Sequence, residues 1–441
     1  MNSALLSPQR LVTVLAARLR RSMDGGKRPG PLPLTRHRLH FLIVRLDQIG
    51  DTILTTPLFR ELRRSFPDSH CTAVVRAAAA PLLDTNPNVD EVLTMPVVAS
   101  RWLPEWARKV AAAWLLYERK LRGNNYDIAI MPRWDMDLDL ATFVMILANA
   151  RTTVGYAETC SPLKRLWNAG FDRAFSVCID PGPVQHEVLR SLDLLRAIGG
   201  QVSDDHLQLR LLDGDAAWAS SLLTDVHPDE LLVVIGFATN NGPTREWPLE
   251  NYAEVIRRLQ HQHRVRPVLL TLPGEKVRAD KLAGLLDIKP LVAAGEGLRN
   301  FAALLERCDL FIGNDSGLAH LAAAVGLPLI VISPHPADGD PNHLNSPLRF
   351  GPFAANMRIL QPEHGRDTCV THCATQREAH CICLVVPELV AEAASTALLA
   401  RAKISADAKV IPLSSGHLSS AHPARSDPPA SPTQFAAVGD L

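Results

Sequence analysis

"RLDQIGDTILTTP" (residues 45–57) follows "LHFLIV" (39–44), an apolar run that reads as a buried strand. A strand, a turn and then a helical pattern is the unit from which parallel α/β sheets are built. In many such proteins the first turn is glycine-rich and cradles a phosphate on its backbone. This turn has one glycine, Gly50, and two acids, Asp47 and Asp51. Any account of function must explain negative charge where an anion cradle is expected.

Alternation of this kind continues outward from the turn. "HCTAVVR" (70–76) and "YDIAIMP" (126–132) read as strands, and "LFRELRRSF" (58–66) and "LKRLW" (163–167) as helical. "HEVLRSLDLLRAIGG" (186–200) is a helix closed by glycine. A second series begins at "ELLVVIGFATN" (230–240) and runs through "RPVLLTLPG", "LFIGNDSG" and "LPLIVIS". The pattern predicts an α/β chain of two Rossmann-like domains, over 39–200 and 201–385, whose parallel sheets face a central cleft. A basic arm and linker precede them (1–38), and a helix (386–403) and a Ser-, Pro- and Ala-rich disordered tail (404–441) follow.

Composition sets bounds. A chain of 441 residues that is 47% hydrophobic sustains two or three cored domains. Zero formal net charge argues against a dedicated nucleic-acid binder. Charge is nevertheless uneven: residues 1–40 hold eight Arg/Lys against one acid, Asp24. Within them "ALLSPQRLVTVLAARLRR" (4–21) sets Leu11, Val14, Leu15 and Leu19 on one helical face, suited either to an anionic membrane surface or to a solvated terminal helix. "RWLPEWARKVAAAWLLYERKLRG" (101–123) combines Trp102, Trp106 and Trp114 with six basic residues, suited to a membrane interface or to packing on the sheet with a solvated basic face. No apolar run reaches about 18 residues and no convincing signal peptide is present, so the expected location is the cytosol, with reduced cysteines. Cys71, Cys160, Cys178 and Cys308 are scattered, whereas Cys369, Cys373, Cys381 and Cys383 cluster; their spacing fits a structural thiol group better than zinc, and no metal is expected to be required.

"LFIGNDSGLAHLAAAVGLPLIVI" (310–332) reads as strand, turn, helix, turn, strand. Ser316 and Gly317 open the helix, so its free N–H groups can meet a diphosphate, or Asp315 and Ser316 can simply cap it. His320 lies on the same helical face as Ser316. "GFATNNGPTREWP" (236–248) ends the first strand of the second series and offers Thr239, Asn240, Thr244 and Arg245, the last suited to bidentate phosphate binding or to solvent. Glu275 follows another strand, where a carboxylate can accept from ribose hydroxyls. No G-x-G-x-x-G follows either first strand, which argues against a nicotinamide dehydrogenase.

"RLDQIGDTILTTP", "TREWP" and "GNDSGLAHLAAAVG", in this order and at these separations, resemble glycosyltransferase family 9, the ADP-heptose:lipopolysaccharide heptosyltransferases, over roughly residues 40–400. The resemblance implies a GT-B fold, an N-terminal half for the acceptor and a C-terminal half for the nucleotide sugar. It also implies inverting, metal-independent transfer in lipopolysaccharide biosynthesis, with no cofactor. By position Asp51 matches the proposed general base, with Asp47 as a competing candidate or Asp51 as a mere cap. Arg245, Asp315, Ser316, Gly317, Leu318 and His320 match donor-binding positions, Glu275 matches the carboxylate near the ribose, and Thr239 and Thr244 are further donor-binding candidates. The implied partners are a nucleotide sugar, a lipid-linked or oligosaccharide acceptor and an anionic membrane surface, with the protein peripheral at the cytosolic face of the bacterial inner membrane. The opening turn would then need a base for a sugar hydroxyl, with no phosphate to cradle. Two other readings stay open: a GT-B nucleotide-sugar epimerase, which would turn over donor alone, and a non-catalytic nucleotide-binding scaffold, which would ignore loss of Asp51.

Overall fold

Twelve strands form two six-stranded sheets in the computed structural model, which describes residues 7–23, 38–238, 242–271, 274–365 and 379–409. The first sheet contains β1 (His40–Arg45), β2 (His70–Val75), β3 (Glu91–Thr94), β4 (Ile128–Ile130), β5 (Thr152–Tyr156) and β6 (Val177–Ile179), ordered β3-β2-β1-β4-β5-β6. The second contains β7 (Leu231–Gly236), β8 (Val265–Thr271), β9 (Leu291–Ala294), β10 (Leu310–Asn314), β11 (Leu329–Ile332) and β12 (Met357–Leu360), ordered β9-β8-β7-β10-β11-β12. Every pairing is parallel. Each sheet thus has the order 3-2-1-4-5-6, with its switch point between first and fourth strands, where α/β sheets open a crevice at the strand C-termini. In the first sheet that places the 45–51 and 131–139 turns together; in the second, residues 242–245 and the 315–317 turn. Strands such as "HFLIVR" and "LFIGN" are buried along nearly their whole length because helices cover both sheet faces.

The decisive turn leads into two helices, α2 (Ile49–Leu54) and α3 (Thr56–Ser65). Pro57 explains the break: it has no N–H to give to the Ile53 carbonyl. Thr56 Oγ1 donates to that carbonyl instead, at 2.7 Å. The same hydroxyl accepts from Gln208 N at 3.0 Å, binding the break to the segment that joins the two halves. That segment is strapped to α3, where buried Glu61 accepts from Ser203 N at 2.7 Å and Arg60 donates to Asp204 O at 2.8 Å. Thr56 is the first residue of α3 and Thr55 its cap, and Asp51 lies within α2.

The remaining helices needed here are α1 (Pro8–Met23), α4 (Glu105–Leu116), α5 (Ala141–Ala148), α6 (Glu187–Ala197), α7 (Gly317–Ala324) and α8 (Pro387–Lys409). α1 packs on the first half: Thr13 and Ala17 are buried, and Arg10 donates to Ala169 O at 3.2 Å. α4 starts at Glu105, within the 101–123 segment, and widens into a π-helical turn at Tyr117–Leu121. α8 buries Val390, Ala394 and Leu398 in the second core and extends through Lys409, beyond the expected end at 403; the rest of the tail, 410–441, lies outside the described residues.

His186 joins the halves. It caps α6, its Nδ1 accepting from Val188 N at 3.2 Å, and its Nε2–H donates to Gly351 O at 2.8 Å. Burial holds its pKa down to about 4 from 6.5, against the opposing pull of the Gly351 carbonyl. The unfolded chain therefore takes up a proton here that the folded chain refuses. This contribution to stability is complete above pH 6.5 and is lost as pH falls from 6.5 toward 4. Because the ring keeps some solvent contact, the expected loss at the lower limit is on the order of 2 kcal/mol. Denaturant titrations across that window check it: His186→Asn should show a shallower fall than wild type.

Candidate active site

On the first half, four charged side chains meet at the ends of β1 and β4. Arg45, the last residue of β1, is buried and pairs with both carboxylates, Nε to Asp47 at 3.1 Å and Nη2 to Asp51 at 3.1 Å. Arg133, from the turn after β4, also pairs with Asp47 and donates to Met136 O at 2.9 Å. The two acids diverge as a result. Burial raises the pKa of each, but Arg133 and Arg45 together hold Asp47 below the usual carboxylate range. Asp51 is left above it, by burial and by the charge of Asp47, despite Arg45. Asp51 is also the N3 residue of α2, and its Oδ2 accepts from Gln48 N at 3.0 Å in a capping box. Capping and a proton-accepting role are compatible, because each carboxylate oxygen has a second lone pair.

The second half contributes a helix terminus and a guanidinium. Ser316 caps α7 in extended conformation, and Gly317 is its first helical residue. The Ser316 hydroxyl, the His320 Nδ1 and the Arg245 Nε are buried and find no partner. Three unsatisfied polar atoms around one helix N-terminus fit a missing polar ligand, and an anion suits the dipole. The "TREWP" and "GNDSG" motifs are pinned together through Asn314. It accepts from Trp247 N and Tyr252 OH, both at 3.0 Å, and donates to Phe237 O at 3.0 Å. With Trp247 fully buried, Arg245 is carried over the mouth of β10, where its Nη2 donates to Asp315 Oδ2 at 2.9 Å and its Nη1 to Asn345 Oδ1 at 3.2 Å.

The halves meet at these two turns. α2 lies against α7: Ile49 sits over Gly317, and Gly50 over the His320 ring. A Cβ on Gly50 would fall 2.5 Å from His320 Cδ2, so only glycine allows this approach. Burial keeps His320 neutral, against the pull of Asp315 and Asp51. Gly50→Ala is therefore expected to displace the imidazole or part the helices by about an ångström. Turnover should fall by roughly a hundredfold while nucleotide affinity changes far less, since near-attack geometry is that sensitive; steady-state kinetics beside calorimetry would separate the two.

Most of the residues singled out in the sequence converge here, but several differ in detail. Leu318 is buried in the second core beside Ile53, so only its backbone can serve a ligand. Arg245 is not a solvated surface residue; its fork is engaged by Asp315, which acts as its anchor. Thr244 is buried next to it, and Glu275 is half-buried at the start of the Lys276–Leu285 helix. Thr239 lies outside the described residues, as do Cys369 and Cys373; Cys383 packs against the second core and Cys381 is buried. Among the described residues, the one His/Cys/Asp/Glu group close enough to hold a metal ion is Asp204, Asp205 and His206, on the connecting segment. Sequence reading missed Arg45 and Arg133. Arg45 was legible as a charge ending an apolar strand, whereas Arg133 has no local signal.

Two sheets of order 3-2-1-4-5-6 with apposed switch points are the GT-B architecture. Solved structures sharing it include the glycosyl transferase family 9 protein of Veillonella parvula DSM 2008, with TM-score 0.66 and 20% identity over 85% of this chain and 100% of that one. Another is E. coli heptosyltransferase WaaC with ADP, with TM-score 0.56 and 24% identity over 74% and 94%. The family model described as glycosyltransferase family 9 (heptosyltransferase) matches residues 114–382, more than half of the chain, and the chain belongs to that family. Lipopolysaccharide heptosyltransferase 1 of E. coli strain K12 is 22% identical over 298 residues, 67% of this chain and 87% of that protein.

Proposed function

We propose that the protein is an inverting, metal-independent heptosyltransferase that moves heptose from ADP-heptose onto a lipopolysaccharide-core or related envelope glycan at the cytosolic face of the membrane. The observation that carries this reading is the apposition of Asp51, a carboxylate with raised proton affinity, to a helix terminus with unsatisfied anion-binding groups. The names of the family's characterised members and the ADP held by WaaC favour the donor. In the reaction an acceptor hydroxyl oxygen attacks the anomeric carbon from the face opposite the diphosphate. Asp51 takes the hydroxyl proton, the new glycosidic bond forms, and the bond from the anomeric carbon to the phosphate oxygen breaks. ADP leaves with the electron pair. The charge it gathers is met by the Arg245 guanidinium, the Ser316 hydroxyl and the first N–H groups of α7.

Calorimetry with a panel of nucleotides and nucleotide sugars tests the donor half of this reading. ADP and ADP-heptose should bind, and Arg245→Ala should weaken both by about ten- to a hundredfold, the worth of charge-assisted hydrogen bonds. A transfer assay run with and without chelator completes it. Donor consumed without acceptor would point to an epimerase instead, and absence of nucleotide binding would sink both readings.

A further inference from the structure

α1 is built with its amphipathic face reversed. Its packed side presents small residues, Thr13 and Ala17, which let the helix lie close on α5 and the Phe171–Ala174 turn. Its outer side carries Leu11, Leu15 and Leu19, which are 48%, 56% and 65% exposed. At spacing i, i+4, i+8 they form one continuous apolar ridge. The neighbouring helix α4 and the turn before it behave likewise, leaving Trp102 82%, Trp106 36% and Trp114 50% exposed. Single exposed apolar residues are ordinary, but six large ones on two adjacent helices and the turn that leads into one of them mark an interaction surface.

Charge identifies the partner. Arg18 on α1, Arg108 on α4, and Arg101, Arg119 and Lys120 in the turns that flank α4 are exposed. The acids among them are already neutralised within the chain, Glu105 by Lys109 at 2.9 Å and Glu118 by Arg122 at 2.7 Å. Leucines on an in-plane helix, indoles at its flank and an uncompensated set of cations match the boundary of an anionic bilayer: acyl chains for the ridge, carbonyl and glycerol level for the indoles, phosphate for the cations. A bilayer boundary offers acyl chains, a carbonyl level and phosphate at successive depths, and so meets all three sets of side chains at once. We propose that α1 and α4 seat this protein on an anionic lipid surface. The seating face also connects to the first-half turn. Lys109 of α4 donates to Leu138 O at 3.1 Å and pairs with Asp139, Asp139 pairs with Arg76 at 2.8 Å, and Arg76 donates to Leu46 O at 2.7 Å.

The test uses the full chain and no nucleotide sugar, so its result is independent of the transferase reading. Protein is floated with vesicles of phosphatidylethanolamine and phosphatidylglycerol, and with vesicles of phosphatidylcholine alone. Flotation is expected with the anionic vesicles only and should weaken with added salt. The triple variant Leu11→Ser, Leu15→Ser, Leu19→Ser, whose side chains contribute little to the core, should fold as wild type by circular dichroism and partition about tenfold or more weakly. Trp102→Ser with Trp106→Ser should weaken it further. Failure of the wild type to float, or equal flotation of the triple variant, overturns the proposal. So does a wild-type dimer that the triple variant splits, since a second copy would then be what covers the ridge.

Discussion

Asp51→Asn is expected to lower the rate of sugar transfer by about a hundred- to ten-thousandfold, the usual worth of a positioned general base, with donor affinity nearly unchanged. The fold should survive, because an asparagine oxygen can still accept from Gln48 N and keep the start of α2. The neighbouring acid provides the contrast. Asp47 is held ionised by Arg45 and Arg133, so its charge is structural and is also part of what raises Asp51. Asp47→Asn removes that repulsion and frees Arg45 to serve Asp51 alone, and both changes lower the Asp51 pKa. A general base works only when deprotonated, so activity falls as pH drops through that pKa. Asp47→Asn should therefore shift the acid limb of the pH–rate profile to lower pH while retaining measurable turnover. Single-turnover kinetics of both variants across pH settle the roles. If Asp47→Asn abolishes transfer and Asp51→Asn does not, the base is Asp47.

Arg349→Ala should be the most damaging substitution away from the reacting atoms. Arg349 is fully buried and spans the halves: its Nη2 lies 3.1 Å from Glu187 on α6, and its Nη1 3.1 Å from Asp135 after β4. Its guanidinium also lies 4.5 Å from the centre of the Trp134 ring, which receives Arg190 at 3.7 Å. Truncation leaves two buried carboxylates short of positive charge. Glu187 retains Arg190 at 2.9 Å and Asp135 retains Ser161 at 2.7 Å, so the expected cost is about 3 kcal/mol, the low end for breaking a buried pair. Arg349→Lys should recover little of it, because one ammonium cannot meet two carboxylates in fork geometry. Urea unfolding followed by probes in each half would show a lowered midpoint, and separation of the two transitions if Arg349 is what couples the halves.

These expectations depend unequally on what could be read from residues alone. Local physics was enough for the strands, since "HFLIVR" and "LFIGN" are apolar without alternation and must be buried on both faces. It was also enough for the phosphate-type start of α7, since Ser-Gly after a strand leaves free N–H groups whatever surrounds them. The separate helix α2 had no such signal, because six residues are too few to show a period, and its end is fixed by Pro57 and by the bonds of Thr56 to Ile53 and Gln208.

By itself, then, the sequence determined that this is a two-sheet α/β protein of glycosyltransferase family 9, with carboxylates on the turn after the first strand and a helix opened by Ser316 and Gly317 after the tenth. Those properties follow from neighbours in the chain. Tertiary structure alone decided which carboxylate is the stronger base, because that depends on Arg133, 86 residues from Asp47. It alone decided why Gly50 is glycine, because the obstacle is the ring of His320 from the other half. It alone decided that the leucines of α1 face outward, because a helix with apolar and small faces can pack by either one, and only the space over α5 selects the small one.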